Sequence, residues 1–471
     1  MHYDVAIIGA GMSGLAAGIR LAHFEKKVCI FERHYAYGGL NSYYRLGGRD
    51  FDVGLHAVTN YCSPADRSAP LNKLLRQLRI TREELGLFPH RFSEVRFPGH
   101  RLRFANDPTL LHEDVAAAFP CEIDGFRRLF RDVHAFDFTR LDTPRRSARA
   151  ALTEYLRDPV LTDMLLCPIM FYGSAEPHDM DFMQFAILFR SLFCEGFARP
   201  REGVRRIIRV LVKKYRGCGG QLRMRTGVER LLVEGDRVVG LQLDNGETIT
   251  ADTVLSSAGY VETLRMLSAS SSHAATAVEP TAAEDDGDLG RISFVETIAV
   301  TDELPHRHGH EPAVMFYCDD ERFRYQSPAT DVDPASGVVC CPSNYEGHDD
   351  MPEGFFRVTW LANPDLWMSA TDDEYRAMKR ECEGVFRRRM DAIVPGLTKR
   401  IVAIDSFTPR TIQRFTGHLN GAVYGSPRKR RDGRTPLRNL FICGTDQGYL
   451  GIIGAMLSGI TIANLHVLSE T

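Results

Sequence analysis

The sequence predicts an α/β protein in which a Rossmann-like dinucleotide-binding domain is interleaved with an α+β domain carrying an antiparallel sheet and a helical insertion. Three observations predict it. The chain opens "YDVAIIGAGMSGLAAGIRLA", an apolar strand, a glycine turn and a small-residue helix. Residues 200–265 supply an amphipathic helix, a "GG" turn and a meander with turns at "EGD" and "DNG". Beyond residue 290 come alternating strands with no helix between them, "RISFVETIAVT", "AVMFYC", "GVVCCPSN" and "FFRVTWLA".

The opening motif is the most informative element. Gly9, Gly11 and Gly14 follow the G-x-G-x-x-G pattern: the first permits a tight turn, the second lets a pyrophosphate reach the backbone, the third lets helix pack on strand. Ala10, Met12 and Ser13 lie between them, at the helix N-terminus whose free N–H groups face the phosphates. The second strand, "KKVCIFE", ends on Glu32, where an acid takes the ribose hydroxyls, with Arg33 beside it. These residues alone leave NAD and FAD open.

Composition is that of an ordinary globular chain of 471 residues, 44% apolar and 25% charged, long enough for two interleaved domains. A net charge of −3 gives no footprint for a nucleic-acid partner. The eleven cysteines include no C-x-x-C and no metal-ligand spacing, so reduced thiols, no metal and a cytoplasmic location are expected. The chain opens on a strand, which leaves no room for a targeting segment.

After Glu32 the chain reads "RHYAYGGLNSYYRLGGRDFDVGLHAVTNY". With its Gly38-Gly39 pair, Ser42 and the "GRDFDVG" strand, it resembles the amine oxidase flavoprotein superfamily and, more closely, its phytoene desaturases, carotenoid isomerases and retinol saturases. The resemblance implies FAD, with Gly38, Gly39, Leu40, Asn41, Gly54 and Leu55 at the cofactor. Leu40 and Asn41 stand where many members carry Arg, so a pyrophosphate contact from that side chain is lost or replaced. A second block, from Arg199 to Gly259, implies that the backbone at Val228 meets the adenine and that Ala258-Gly259 ends a cofactor-side strand. Here Glu202-Gly203 replaces the usual glycine pair.

A third block, "LRNLFICGTDQGYLGIIGAMLSGITIAN", resembles the superfamily's second flavin motif. It implies Gly444 at the strand end, Asp446 at the ribityl chain, and a helix from Gly451, Ile452 and Ile453 aimed at the flavin N1/C2=O edge. That positive end would stabilise an anionic reduced flavin. The uncharged stretch Gly448–Leu468 is about as long as a membrane span, yet its glycines, Gly454 among them, fit a buried helix under the ring better. No attachment residue is recognisable, so the FAD is expected to be non-covalent.

The blocks divide the chain into a cofactor domain of residues 1–95, 200–265 and 405–471, a helical insertion of 96–199 and an antiparallel-sheet substrate domain of 266–404. The Met- and Phe-rich segment around residues 160–197 reads first as helix core and, through the resemblance, as a greasy substrate lining. "SASSSHAATAVEPTAAEDDGD" reads as a mobile acidic link. Gly417, Gly421 and Gly425 are expected near the substrate face. Tyr61 and Tyr449 are expected to close the cavity or to pack. The run "RKRRDGR" reads as a solvated loop, with peripheral membrane contact as the alternative.

His56 is the one titratable residue singled out for catalysis, either as acid or base or as a silent packed ring. The resemblance implies an enzyme acting on carbon–carbon bonds of a hydrophobic isoprenoid or polyene by hydride exchange with flavin N5. Desaturation needs an external electron acceptor, saturation a donor, and isomerisation only reduced flavin. The alternatives are an FAD amine oxidase and a non-catalytic lipid-binding escort of the same fold.

Overall fold

The computed structural model describes residues 1–54, 56–137, 143–268 and 287–469. Its first sheet has the strand order Val228–Glu234, Arg237–Leu243, Thr248–Ser256, His2–Ile8, Val28–Glu32, Gln221–Met224, with Leu440–Ile442 also paired to Thr248–Ser256. The four strands around His2–Ile8 run parallel, in a register that sets Ile7 between Ile30 and Leu255. The apolar runs of the central strands His2–Ile8 and Val28–Glu32 are buried on both faces, as a parallel sheet requires. The carboxyl ends of these strands therefore converge at one edge, where open α/β sheets bind ligands.

The second sheet has the order Ile401–Phe407, Ser293–Thr301, Gly354–Ala362, Val332–Cys340, Val314–Cys318, Ser93–Phe97, His100–Phe104. All its pairs are antiparallel except Val314–Cys318 with Ser93–Phe97. The hairpin 93–104 thus belongs to this sheet and straddles the boundary expected at residue 95. One face packs on the helix Asp372–Ile393 through Val295, Val358, Trp360 and Phe386. The opposite face, carrying Phe294, Glu296 and Thr359, looks back at the cofactor sheet. Period-two alternation sorts the two sets.

Helices Thr109–Ala118, Ile123–His134, Pro159–Gly173 and Phe182–Phe189 bury their apolar faces against the hairpin. Met164, Met170, Phe185, Phe189 and Phe193 are core residues. Of the Met- and Phe-rich segment, Phe171 and Tyr172 reach the main cavity. Most of the segment is therefore helix core, and the greasy-lining expectation is carried by Phe171 and Tyr172.

Helix Gly451–Ala463 continues as a π-turn to Leu468. It is long and apolar enough to cross a membrane by length and composition, and 56% of it is buried in the fold. It packs on the N-terminal helix Met12–Ala22, so closely that a Cβ on Gly459 would lie 2.0 Å from the Ser13 carbonyl oxygen. Its small residues therefore serve a helix–helix contact. The basic run is not a free cationic loop: Lys429 donates to the Tyr424 carbonyl at 2.6 Å, Arg430 pairs with Asp288, and Arg431 pairs with Asp181. Arg428 and Arg434 of the same run are exposed. The expected acidic link lies almost wholly outside the described residues.

Candidate functional site

A cavity of about 290 Å³ lies between the two sheets. Its polar half is built at the first sheet's edge. Gly9, at φ +95°, ends the first strand, and a Cβ on Gly14 would meet the Gly9 carbonyl oxygen at 2.1 Å. Gly11 is the N-cap of the N-terminal helix, with no side-chain cap and nothing within 4 Å of an added Cβ. The backbone is thus open to a ligand where a phosphate needs it to be. Gly38 donates its N–H to the Ala10 carbonyl at 2.8 Å and folds the Gly38-Gly39 pair over this turn.

Glu32 is buried, its two oxygens held by the N–H groups of Ala10 and His34, each at 2.8 Å. Burial raises its pKa and these two bonds offset part of the effect. The carboxylate is fixed at the cavity wall, beside Arg33, Gly227 and Val228. At the other end Gly451 and Ile452 open the C-terminal helix onto the cavity, again without a side-chain cap. A cradle that a Cβ would leave empty, a fixed acid at the ribose position and two uncapped helix starts fit a flavin dinucleotide.

Gly9, Gly11, Met12, Ser13, Glu32, Arg33, Gly38, Gly39, Leu40, Asn41, Gly54, His56, Val228, Ala258, Gly444, Gly451 and Ile452 all line this cavity. Leu55 lies outside the described residues. Ala10 and Gly14 act one step back, holding Glu32 and the helix–strand contact. Gly259, Asp446 and Ile453 are off the wall. Ile453 is in the core, and a Cβ on Gly259 would meet Glu262. Asp446 is 1% exposed and points away, accepting from Tyr260 N–H at 2.6 Å and Ser426 N–H at 2.7 Å. Thr445, next to Gly444, holds the place on the cavity expected for that acid. Of the other residues singled out, Gly417 and Tyr449 line the cavity, whereas Gly421, Gly425, Gly454 and Tyr61 do not.

The second half of the cavity is apolar, walled by Phe171, Tyr172, Phe294, Val423, Tyr424 and Leu450. Phe171 stacks on Phe294 with centroids 5.8 Å apart, and Tyr424 donates its hydroxyl to the Phe171 carbonyl. The Tyr172 hydroxyl is buried without a hydrogen-bond partner among the described residues.

The same half of the cavity is lined by His56, Glu296 and Thr359, part of a charge cluster whose other members sequence reasoning missed. His56 Nε2 is 3.0 Å from Thr359 Oγ1 and 3.6 Å from Glu296 Oε1. Arg357 Nε donates to the same Glu296 oxygen. Glu296 and Thr359 are directly opposite in neighbouring strands. Burial opposes the Glu296 charge, but Arg357 and His56 outweigh it and hold its pKa down at about 2. Burial lowers the His56 pKa, and Glu296 only partly restores it, so the ring is neutral near pH 7. The His56 carbonyl accepts from Arg199 at 3.0 Å and Tyr345 at 3.2 Å. Arg199 also pairs with Asp52, against which a Cβ on Gly203 would collide, at 2.0 Å from the carboxylate. That contact explains why Gly203 survives in the departed glycine pair. The legible signal for the cluster was a lone acid in "SFVETIAV" and a lone base in "FFRVTWLA".

Comparison with known proteins agrees with this geometry. The family model described as flavin containing amine oxidoreductase matches residues 12–465. The chain is 21% identical to prolycopene isomerase 2, chloroplastic, of an Oncidium hybrid cultivar, over 98% of this chain and 83% of that protein. It is 22% identical to all-trans-retinol 13,14-reductase of Danio rerio, over 98% of this chain and 87% of that protein. In fold it matches the crystal structure of an oxidoreductase from Methanosarcina mazei with a TM-score of 0.69 and 17% identity, covering 98% of this chain and 99% of that one. A family match running almost end to end, over a cavity already shaped for a dinucleotide, places the chain among the flavin-containing amine oxidoreductases, as an oxidoreductase whose cofactor is FAD.

Proposed function

We propose that this enzyme acts on carbon–carbon bonds of a hydrophobic polyene or isoprenoid, by desaturation, saturation or cis–trans isomerisation. The observation that carries the reading is the continuous apolar wall from Phe171 to Leu450, interrupted by His56 and the ion pair behind it. Two relatives that span nearly the whole chain are named for prolycopene and all-trans-retinol, and the substrate class is taken from them. An amine oxidase reading has less support. The carboxylate of the apolar half, Glu296, is already matched by Arg357 and is not free to receive an ammonium. An escort would have no use for the intact glycine cradle.

Bound FAD supplies hydride exchange at N5. The chain's residues do the rest. The aromatic wall takes up the polyene and excludes water. His56, neutral and held at Nε2, leaves Nδ1 without a hydrogen-bond partner among the described residues, and that atom takes or returns the substrate proton. The Tyr172 hydroxyl offers a second polar contact at the same wall.

The test is to incubate the reduced and the oxidised holoenzyme with micellar polyenes and follow the chromophore by chromatography with spectral detection. A longer conjugated system reports desaturation, a shorter one saturation, and unchanged mass with a new geometric isomer reports isomerisation. Flavin bleached by aliphatic amines and by no polyene would overturn the reading.

A further inference from the structure

We infer that Glu296 and Arg357 are positioning residues that fix the tautomer and proton affinity of His56, acting as a buried couple on the substrate side of the site. The inference rests on the proton-handling role proposed for His56 and deepens it.

The geometry is specific. Nε2 faces both the Thr359 hydroxyl and the Glu296 carboxylate. Glu296 is 6% exposed and Arg357 2%. A carboxylate kept ionised by an adjacent guanidinium favours a proton on Nε2, which leaves Nδ1 as the base. When a substrate C–H bond breaks, the proton forms an N–H bond at Nδ1 and the electron pair left behind becomes the second bond of the new C=C, as the neighbouring carbon gives up its hydrogen as hydride, which bound FAD would accept. The imidazolium charge is met by Glu296, and the reverse transfer delivers the same proton. Arg357 is off the cavity wall, and Glu296, which lines it, turns its Oε1 to Arg357 and to His56, so each acts on the proton through the ring.

Every charged or titratable group packed on His56 enters the balance. Glu296 on strand Ser293–Thr301 raises the ring's proton affinity. Arg357 on Gly354–Ala362 and Arg199 on Ala198–Pro200 lower it. Asp52 sits behind Arg199. Cys340, Tyr345 and Tyr172 are all pushed up by burial and stay neutral. Among the described residues, Glu296 is therefore the one anion in direct reach of the ring.

The experiment is 15N NMR of the histidine rings in the FAD-loaded protein, with a pH profile of kcat/KM on the same samples. In the wild type His56 is expected as the Nε2–H tautomer. Glu296→Gln should lower the ring's titration by about one to three pH units, the range for one opposite charge at this distance. It should move the matching limb of the profile down by the same amount. Because Glu296→Gln strands a buried guanidinium, the double variant Glu296→Gln with Arg357→Gln is measured beside it, and the same downward direction is expected. Thr359→Val, which keeps Glu296 beside Nε2, should leave the Nε2–H tautomer in place with little change in the titration; a switched tautomer there would assign the positioning to Thr359 and overturn the couple's role. An unmoved titration in both Glu296 variants, with polyene turnover still lost in His56→Gln, overturns the positioning role and leaves the functional reading standing. Full polyene turnover in His56→Gln, with the titration shifted as expected in the Glu296 variants, removes the catalytic role of His56 and keeps the couple.

Discussion

Single residues separate what binds the cofactor from what holds the protein. An added side chain at Gly11 meets nothing in the fold, and its backbone is extended, so Gly11→Val should fold normally yet fail to retain flavin. Unchanged circular dichroism with a protein-to-flavin absorbance ratio typical of apoprotein is the expected result. Gly14→Val should fail earlier, because the collision is with Gly9 backbone. Glu32→Ala should weaken FAD binding by about 1.5–3 kcal/mol, the loss of hydrogen bonds to a charged group. Glu296 makes a different prediction. Its carboxyl, at about 2, lies below its ordinary 4.5, so its ionisation favours the native state. That contribution is complete above pH 4.5 and is lost as pH falls toward 2, amounting to about 3 kcal/mol. Denaturant titrations of wild type and the Glu296→Gln/Arg357→Gln variant between those pH values should show the acid dependence flatten in the variant.

At the level of elements, the C-terminal helix illustrates what a sequence displays and what it conceals. Its glycines were legible as a demand for close approach, but a sequence does not say to what. Gly459 answers to the N-terminal helix and Gly451 to the cavity, whereas a Cβ on Gly454 would face only the neighbouring Tyr449. Gly459→Leu should therefore destabilise the protein by overpacking, about 1–3 kcal/mol or more, while Gly454→Leu should leave both melting temperature and flavin content near wild type. Equal tolerance of the two would refute the helix–helix contact. The N-terminal fingerprint was readable for the opposite reason: turn, helix start and acid all lie within one βαβ unit, so local spacing fixes their geometry. Asp446 was misplaced because one position on a short 3₁₀ turn decides between wall and core. The Glu296–Arg357 pair stayed hidden because its members meet only through the register of two strands far apart in sequence.

For the whole molecule, one cavity is walled by residues of both sheets, so FAD held there would couple their stability. Acid denaturation should release all flavin to the supernatant, the mark of non-covalent binding, and a coloured pellet would refute it. Readdition of FAD to apoprotein should raise the melting temperature with ligand concentration, as a ligand that binds only the native state must. The two-sheet architecture was legible from periodicity. The membership of hairpin 93–104 was not, because its pairing partner, Val314–Cys318, lies beyond the helical insertion.

The pairing of the N-terminal helix with the C-terminal helix also sets the timing of biosynthesis. The first strand and its glycine turn leave the ribosome long before Leu440–Ile442 and Gly451–Ala463, which complete that sheet and cover that helix. Throughout translation the nucleotide cradle is an open edge with an exposed apolar helix, a contact order that delays closure and invites chaperone capture. Nascent chains arrested before residue 440 should bind trigger-type chaperones and no flavin, and release of the full chain should be the step at which the yellow colour and protease resistance arrive together.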